Sequence, residues 1–593
     1  MAFVRSLVVA LVAGAAIQVA AHRAADDTVV VEKNVAARMR DGVLLRADVY
    51  RPSAAGTHPA LVQRTPYSKN DEDSPERFKR LAARGYVIVV QDTRGRYMSD
   101  GVARPHDEAE DGFDTLAWVS GLPYVDGEIG MWGGSYLATT QLLAATLQPP
   151  SLVALFSSSS YNSRYDMVFQ GGAFYLNDGL GWNLGQAADV RRRVFTPDVD
   201  RDGPLGMTPE QANAFRERWL WHVPLKTMDA LELKRFAPGY DELLAHPSYD
   251  DYWKTFDIEA RHDRFTVPAF HLTGWYDTLL NGTLRNYVGL RARAANENAR
   301  RSQRLIVGPW THARPSLSST KVGDVDFGPQ AGLDSQELMA RWFDHWLKGG
   351  DASILQGAPV RIFVMGDNRW RDEQEWPLVR AKATEYFLQS GGSANTLDGD
   401  GRLSTTAPRD QRADRFVYDP WDPVPTGALG GYSRIPADQR PIERRRDVLV
   451  YTTEPLAADL EVTGPITLKL WIASSARDTD FTGKVVDVFP DGTARALTDG
   501  ILRTRYRESR TTPKMLTPNQ PVELTIDLGA TSNLFRAGHR IRLEVSSSNF
   551  PRFDRNPNTG GVFGEDAELR RAEQQVFHGA SRPSRLIVPV VPR

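Results

Sequence analysis

A serine that attacks a carbonyl needs an exposed oxygen, a backbone N–H beside the developing negative charge, and a base to take its proton. Ser135 has the setting for the first two. The apolar stretch Ile129-Gly130-Met131-Trp132 runs into Gly133-Gly134, Ser135 comes next, and residues 136–147 read as a helix. Strand, sharp turn and helix put the hydroxyl on the turn, above a helix N-terminus that favours negative charge. Gly133 lets the chain turn where a Cβ would clash. A Gly-x-Ser is also common in ordinary turns, so the assignment depends on residues further along the chain.

On an α/β sheet the partners of such a serine arrive in the order Ser, acid, His, each at a later strand end. Two loops fit. The apolar run 267–272 leads into Thr273-Gly274-Trp275-Tyr276-Asp277, and the run 304–307 into Gly308-Pro309-Trp310-Thr311-His312. Alone, Asp277 would pass for the N-cap of the helical segment 278–290, and His312 is one of 11 histidines. Two such loops after buried strands, in the required order, predict Ser135 as nucleophile, His312 as base and Asp277 as the group that orients it.

The surrounding elements supply the frame. Residues 28–32, 35–39 and 43–50 are β-rich around an Asp41-Gly42 turn, residues 60–63 form a short buried strand, and 86–91 form a continuous apolar one of the kind buried in parallel sheets. Helical patterns at 78–83 and 108–119 alternate with them, which argues for an α/β sheet covered on both faces. The rhythm breaks over 157–262, read as a helical cap insertion, and resumes over 263–352. From 353 to 593 short alternating runs, beginning with 360–365, are spaced by Gly, Pro, Asn and Asp turns, the pattern of a C-terminal all-β jelly roll. The core is thus expected at 28–156 and 263–352.

The quoted motifs Gly133-Gly134-Ser135-Tyr136-Leu137, Gly274-Trp275-Tyr276-Asp277 and Gly308-Pro309-Trp310-Thr311-His312 resemble those of the cocaine esterase-like hydrolases, which belong with the Xaa-Pro dipeptidyl-peptidase (S15) group of α/β-hydrolases. Asp92-Thr93-Arg94-Gly95 and the stretch Trp342-Phe343-Asp344-His345-Trp346-Leu347-Lys348-Gly349 also look like that family. The resemblance implies the same three-domain plan and the same triad. It further implies an oxyanion hole made by the backbone N–H of Tyr136 and the phenol of Tyr67. One departure is Ala138, where the family usually has glycine.

All members of this group transfer an acyl group to water through the serine, with no cofactor or metal. The α-amino acid ester hydrolases among them carry a Glu-Asp pair just after the triad acid to hold an ammonium; here Thr278-Leu279-Leu280 occupies that place. That favours an ester with an uncharged, apolar acyl group, with Trp132, Trp275 and Trp310 expected to line or buttress its pocket. A Xaa-Pro dipeptidyl-peptidase or glutaryl-type amide acylase on the same triad is the alternative. A binding protein with a dead core would lack part of the set, which is complete here.

Composition agrees with a small-molecule enzyme. The chain has 593 residues, 25% charged, with a formal charge of −2, so no basic excess points to nucleic acid. Arg5, the apolar run 7–16 and Val19-Ala20-Ala21 look like a signal peptide ending at residue 21, too short for a membrane anchor. The expected destination is periplasmic or secreted. With no cysteine, disulfides and a lipidated N-terminal Cys are excluded. Asp198-Val199-Asp200-Arg201-Asp202-Gly203 begins like a calcium loop, but Pro209 stands where the bidentate acid belongs, so it reads as a turn. A homo-oligomer is compatible with the sequence.

Overall fold

The computed structural model describes residues 28–70, 74–195, 209–312, 316–427 and 436–592; the expected leader and the turn at 198–203 lie outside them. Ten strands make one sheet: β1 (Val29–Arg38), β2 (Leu44–Pro52), β3 (His58–Thr65), β4 (Val87–Asp92), β5 (Val125–Gly134), β6 (Leu152–Ser158), β7 (Ala269–Tyr276), β8 (Arg304–Thr311), β9 (Val360–Val364) and β10 (Arg369–Glu373). Their spatial order is β1-β2-β4-β3-β5-β6-β7-β8-β9-β10. From β4 to β9 every pairing is parallel. The edges are antiparallel hairpin pairs.

Period-two alternation explains how one sheet feeds two cores. Val62, Val89, Met131 and Leu155 face helices α2 (Glu108–Ser120) and α3 (Tyr136–Ala145) through Leu116, Leu142 and Leu143. Leu61, Ile88 and Ala154 face the other way, onto Phe78 of α1 (Ser74–Ala83) and Trp342 and Phe343 of α7 (Ser335–Lys348). Gly130 is needed for the second contact, because a Cβ there would stand 2.4 Å from the Phe343 ring.

Between β6 and β7 the chain leaves the sheet for the cap. Its long helices are α4 (Leu176–Phe195) and α5 (Pro209–Leu220), around buried Leu180, Phe236, Tyr240 and Trp253. Helix α6 (Leu280–Arg293) comes after β7.

The C-terminal region is all-β. Eleven strands form one hydrogen-bonded network. Its apolar faces meet in a common core, where Leu468 and Leu470 join Leu543 and Val545. Gly483 makes room in that core, since a Cβ there would come within 2.7 Å of Leu468. This domain also supports the cap: the Arg503 N–H donates to the Gly171 carbonyl at 2.9 Å.

Two sequence expectations change. Residues 28–32 and 35–39 form a single strand, with a bulge between Glu32 and Val35. The run 360–365, expected to open the β domain, supplies β9 instead and pairs parallel with β8, Leu305 opposite Val360. The physical reason is connectivity: α7 lies on the sheet face, and a helix leaving one parallel strand crosses over to deliver the next. The ten-stranded sheet therefore extends through Glu373, past the expected boundary at 352.

Candidate active site

The serine sits on a strained elbow. β5 ends in Gly133-Gly134, with Gly133 at φ 145°, and Ser135 itself has φ 61° and ψ −124°, a region few non-glycine residues occupy. A Cβ on Gly133 would stand 2.4 Å from the Leu137 Cβ, so the turn can close only over glycine. The Ser135 N–H donates to the Ser158 carbonyl at 2.9 Å, which locks the elbow to β6. Helix α3 starts at Tyr136, whose N–H lies in the first turn, outside the intrahelical ladder.

The two other strand ends converge on that hydroxyl. His312 lies just past β8, and its Nε2 is 2.9 Å from the Ser135 Oγ. Its Nδ1 is 2.9 Å from Asp277 Oδ1, on the turn after β7. The Leu279 N–H donates to the same Oδ1 at 2.7 Å, and the Ser159 hydroxyl donates to Oδ2. Burial pushes the Asp277 pKa up, but His312, Ser159 and the Leu279 amide outweigh it and hold it below the usual carboxylate range. The two loops can lie this close because Gly274 has no side chain: a Cβ there would meet the Trp310 carbonyl at 2.1 Å.

Tyr67 lies on the loop after β3, the strand that pairs with β5, which in turn leads into Ser135. It is 39% exposed, which leaves its ring open to solvent. Its hydroxyl oxygen accepts the Trp182 indole N–H at 3.1 Å. Trp182, from cap helix α4, also stacks on Tyr136 at 5.6 Å and 17°.

Buried charge lies behind Tyr136 and behind the Tyr67 loop. The Tyr136 phenol donates to Glu108 Oε1 at 2.7 Å, and Arg64 donates to Glu108 Oε2 at 2.8 Å. Burial raises the pKa of Glu108 and puts that of Tyr136 well above its ordinary value, so the phenol stays a donor. On the Tyr67 side, the Lys69 N–H donates to Asp92 Oδ1 at 2.8 Å. The Lys69 ammonium sits 2.9 Å from Asp48 Oδ1, with both side chains fully buried. Burial pushes Asp92 up to about 7, with Lys69 pulling against it.

Five predicted residues thus meet at one edge: Ser135, His312 and Asp277 in hydrogen-bonded series, Tyr136 and Tyr67 flanking them. The three tryptophans expected to line or buttress an acyl pocket are all buried. Trp275 and Trp310 are fully buried, their indole N–H groups donating to Phe363 O at 2.7 Å and Ala331 O at 2.9 Å. Trp132 packs on Phe78 under the sheet. Trp275 packs on Trp376 and Trp310 on Trp370, so both brace their loops. Sequence reading missed Trp182, Glu108, Lys69 and Ser159. Only Ser159 left a trace, in the serine run 157–160 closing a buried strand.

Among the described residues no cluster of His, Asp or Glu could hold a metal ion, and no helix is long and apolar enough to cross a membrane. The arrangement can pass the Ser135 proton to an imidazole held by a buried carboxylate.

Comparison with known proteins places this geometry. Residues 41–314 match the model of the X-Pro dipeptidyl-peptidase (S15) family, and residues 355–587 match the X-Pro dipeptidyl-peptidase C-terminal non-catalytic domain. The chain is 39% identical to a cocaine esterase of Rhodococcus sp. (strain MB1 Bresler) over 587 residues, covering 95% of this chain and 99% of that protein. Among solved structures it is similar to an α-amino acid ester hydrolase, with TM-score 0.80, 26% identity, and coverage of 95% and 97% of the two chains. An aminopeptidase from a marine sediment archaeon, Thaumarchaeota archaeon, superposes with TM-score 0.81 at 26% identity over 95% and 97%.

Proposed function

This chain belongs to the X-Pro dipeptidyl-peptidase (S15) family of hydrolases, and on that premise we propose that it is an exported serine esterase acting on carboxylic esters with an apolar acyl group. The observation that carries the reading is the unbroken series Ser135 Oγ, His312 Nε2, His312 Nδ1 and Asp277 Oδ1, with 2.9 Å at each hydrogen bond.

In this reading each group has its part in catalysis. Ser135 Oγ attacks the ester carbonyl while His312 Nε2 takes its proton, and the imidazolium forms against the ionised Asp277. The tetrahedral oxyanion accepts from the Tyr136 N–H and the Tyr67 O–H. Collapse expels the alcohol, which takes the proton back from His312 and leaves an acyl-enzyme. Water, deprotonated by the same imidazole, then releases the acid.

The acyl preference rests on the three residues after Asp277. Residues 278–280 are Thr-Leu-Leu, with no carboxylate to hold an α-ammonium. Amide or dipeptidyl hydrolysis on the same triad is the second reading, favoured by the family match and the aminopeptidase likeness. The destination outside the cytoplasm rests on the leader-like first 21 residues. A panel of aryl acetates and benzoates set against Xaa-Pro anilides, with fluorophosphonate labelling of Ser135, tests the proposal. Faster anilide turnover overturns the ester preference, and no labelling overturns the nucleophile.

A further inference from the structure

Asp277 is 1% exposed, and each of its oxygens has separate donors. Oδ1 serves His312 and the Leu279 amide. Oδ2 accepts from the Ser159 hydroxyl, its one hydrogen bond among the described residues. Ser159 stands just past the end of β6 at φ 54°, in the left-handed region that serine seldom adopts. Its backbone N–H donates to the Leu272 carbonyl of β7 at 2.8 Å, and the preceding residue, Ser158, accepts the Ser135 N–H at 2.9 Å.

Two successive residues therefore tie the nucleophile's backbone to the acid's side chain. We propose that Ser159 is a positioning residue and the fourth member of the relay, its hydroxyl fixing the Asp277 carboxylate in the plane that His312 requires. The physical reason is hydrogen-bond satisfaction. A buried carboxylate oxygen without a donor is costly to keep charged. Remove the Ser159 hydroxyl and Asp277 has one donor-rich oxygen and one bare one, so it turns toward His312 or shares the proton with it. The left-handed backbone fits this role: an extended residue after β6 would carry its side chain away from β7, and strain of this kind persists where the surroundings over-determine it. Among the described residues His312 is the one titratable group within hydrogen-bonding reach of Asp277. Ser159 touches no substrate and acts through Asp277.

The inference rests on the esterase reading of Ser135, and the test separates the two. Ser159→Gly and Ser159→Ala both remove the hydroxyl; glycine accepts φ 54° freely, whereas alanine keeps the strain. Wild type and both variants are compared on a chromogenic aryl ester across pH, with thermal melting as a check of folding and fluorophosphonate labelling of Ser135 as a second readout. Both variants are expected to lose about 10- to 100-fold in kcat, the worth of one hydrogen bond to a charged group, with KM nearly unchanged. The acid limb of kcat/KM moves to higher pH, because a less stabilised carboxylate lets the Asp277–His312 pair take up its proton sooner. Labelling slows in step with kcat. An unmoved acid limb with kcat near wild type in the glycine variant overturns the inference. So does a loss confined to alanine, which would assign the effect to the backbone. Wild-type protein that neither labels nor turns over any ester overturns the esterase reading, and the inference falls with it.

Discussion

Two aspartate–histidine pairs in this molecule are built from the same parts and end in different places. In the catalytic sheet Asp277 holds His312 Nδ1 at 2.9 Å; in the β domain Asp414 holds His578 Nε2 at 2.9 Å. Each carboxylate also accepts a backbone N–H, from Leu279 or Ala394, and hydroxyl donors, Ser159 in one case and Ser390 with Tyr451 in the other. Each is kept below the usual carboxylate range despite its burial. The difference is on the far side of the ring. His312 is 33% exposed and its second nitrogen meets Ser135, whereas His578 is fully buried and its second nitrogen meets Gln411 at 3.0 Å. A carboxylate–imidazole pair is thus a general way to fix a ring. The proposed catalysis uses the pair where a strained elbow sets a hydroxyl against its open nitrogen.

Exchanging the carboxylate for an amide separates the two pairs most sharply. Asp277→Asn should lower kcat on an aryl ester by about 10⁴, because the amide can hold His312 in the wrong tautomer. Asp414→Asn should leave kcat near wild type and cost about 3–5 kcal/mol of stability, the usual loss when one partner of a buried pair is removed. Steady-state kinetics and melting on both variants give the answer, and a large kcat loss in Asp414→Asn would join two regions held here to be separate.

Next in size are the phenols beside each pair. Tyr67→Phe should cost about 10²–10³ in kcat with KM little changed, as for loss of one oxyanion donor. Tyr451→Phe takes a donor from Asp414 Oδ2, and should cost about 1–3 kcal/mol in stability with no kinetic effect. If Tyr67→Phe instead raised KM alone, the tyrosine would be a binding residue.

The pH dependence is shared and smaller. For both aspartates the folded pKa lies below the unfolded value of about 3.9. Such a group contributes stability that is fully present above the unfolded pKa and is lost as pH falls through the folded one. Melting temperature should therefore drop below about pH 4, and Asp414→Asn, less stable at neutral pH, should give a flatter curve over that window. An equally steep acid limb in the variant would remove Asp414 from the account.

How much of the site was legible in the sequence depends on the kind of contact each residue makes. Ser135, Asp277 and His312 could be read because each comes after a buried apolar run and chain order fixes their roles. Gly133 and Gly274 carry the same signal, since a Cβ at either would strike backbone or a neighbouring side chain. Tyr67 was visible only through family resemblance: a half-exposed loop tyrosine has no local signature. Trp182 was hidden because its partners, Tyr67 and Tyr136, lie far back in the chain, before the cap insertion begins. For the tryptophans beside the triad, sequence leaves lining and buttressing undivided for a related reason. Trp275 and Trp310 adjoin catalytic loops in sequence but point the other way, into packing with Trp376 and Trp370. β9 was assigned to the wrong domain because a short alternating run reads alike at the edge of either sheet.

The smallest expected effect concerns the one departure from the family's elbow. Ala138 is fully buried in the first turn of α3, and its N–H donates to the Ser135 carbonyl at 3.0 Å. The bond is made by the backbone, so Ala138→Gly keeps it and removes only a methyl from a well-packed site. The cost has two parts: glycine in a helix loses about 1 kcal/mol against alanine, and the vacated methyl adds roughly another 1 kcal/mol of lost burial. Neither part touches Ser135 or His312. A drop in melting temperature with kcat unchanged is therefore expected. A gain in kcat would instead mean that the methyl presses on the elbow, and that the nucleophile's strain is set by helix packing as well as by the turn.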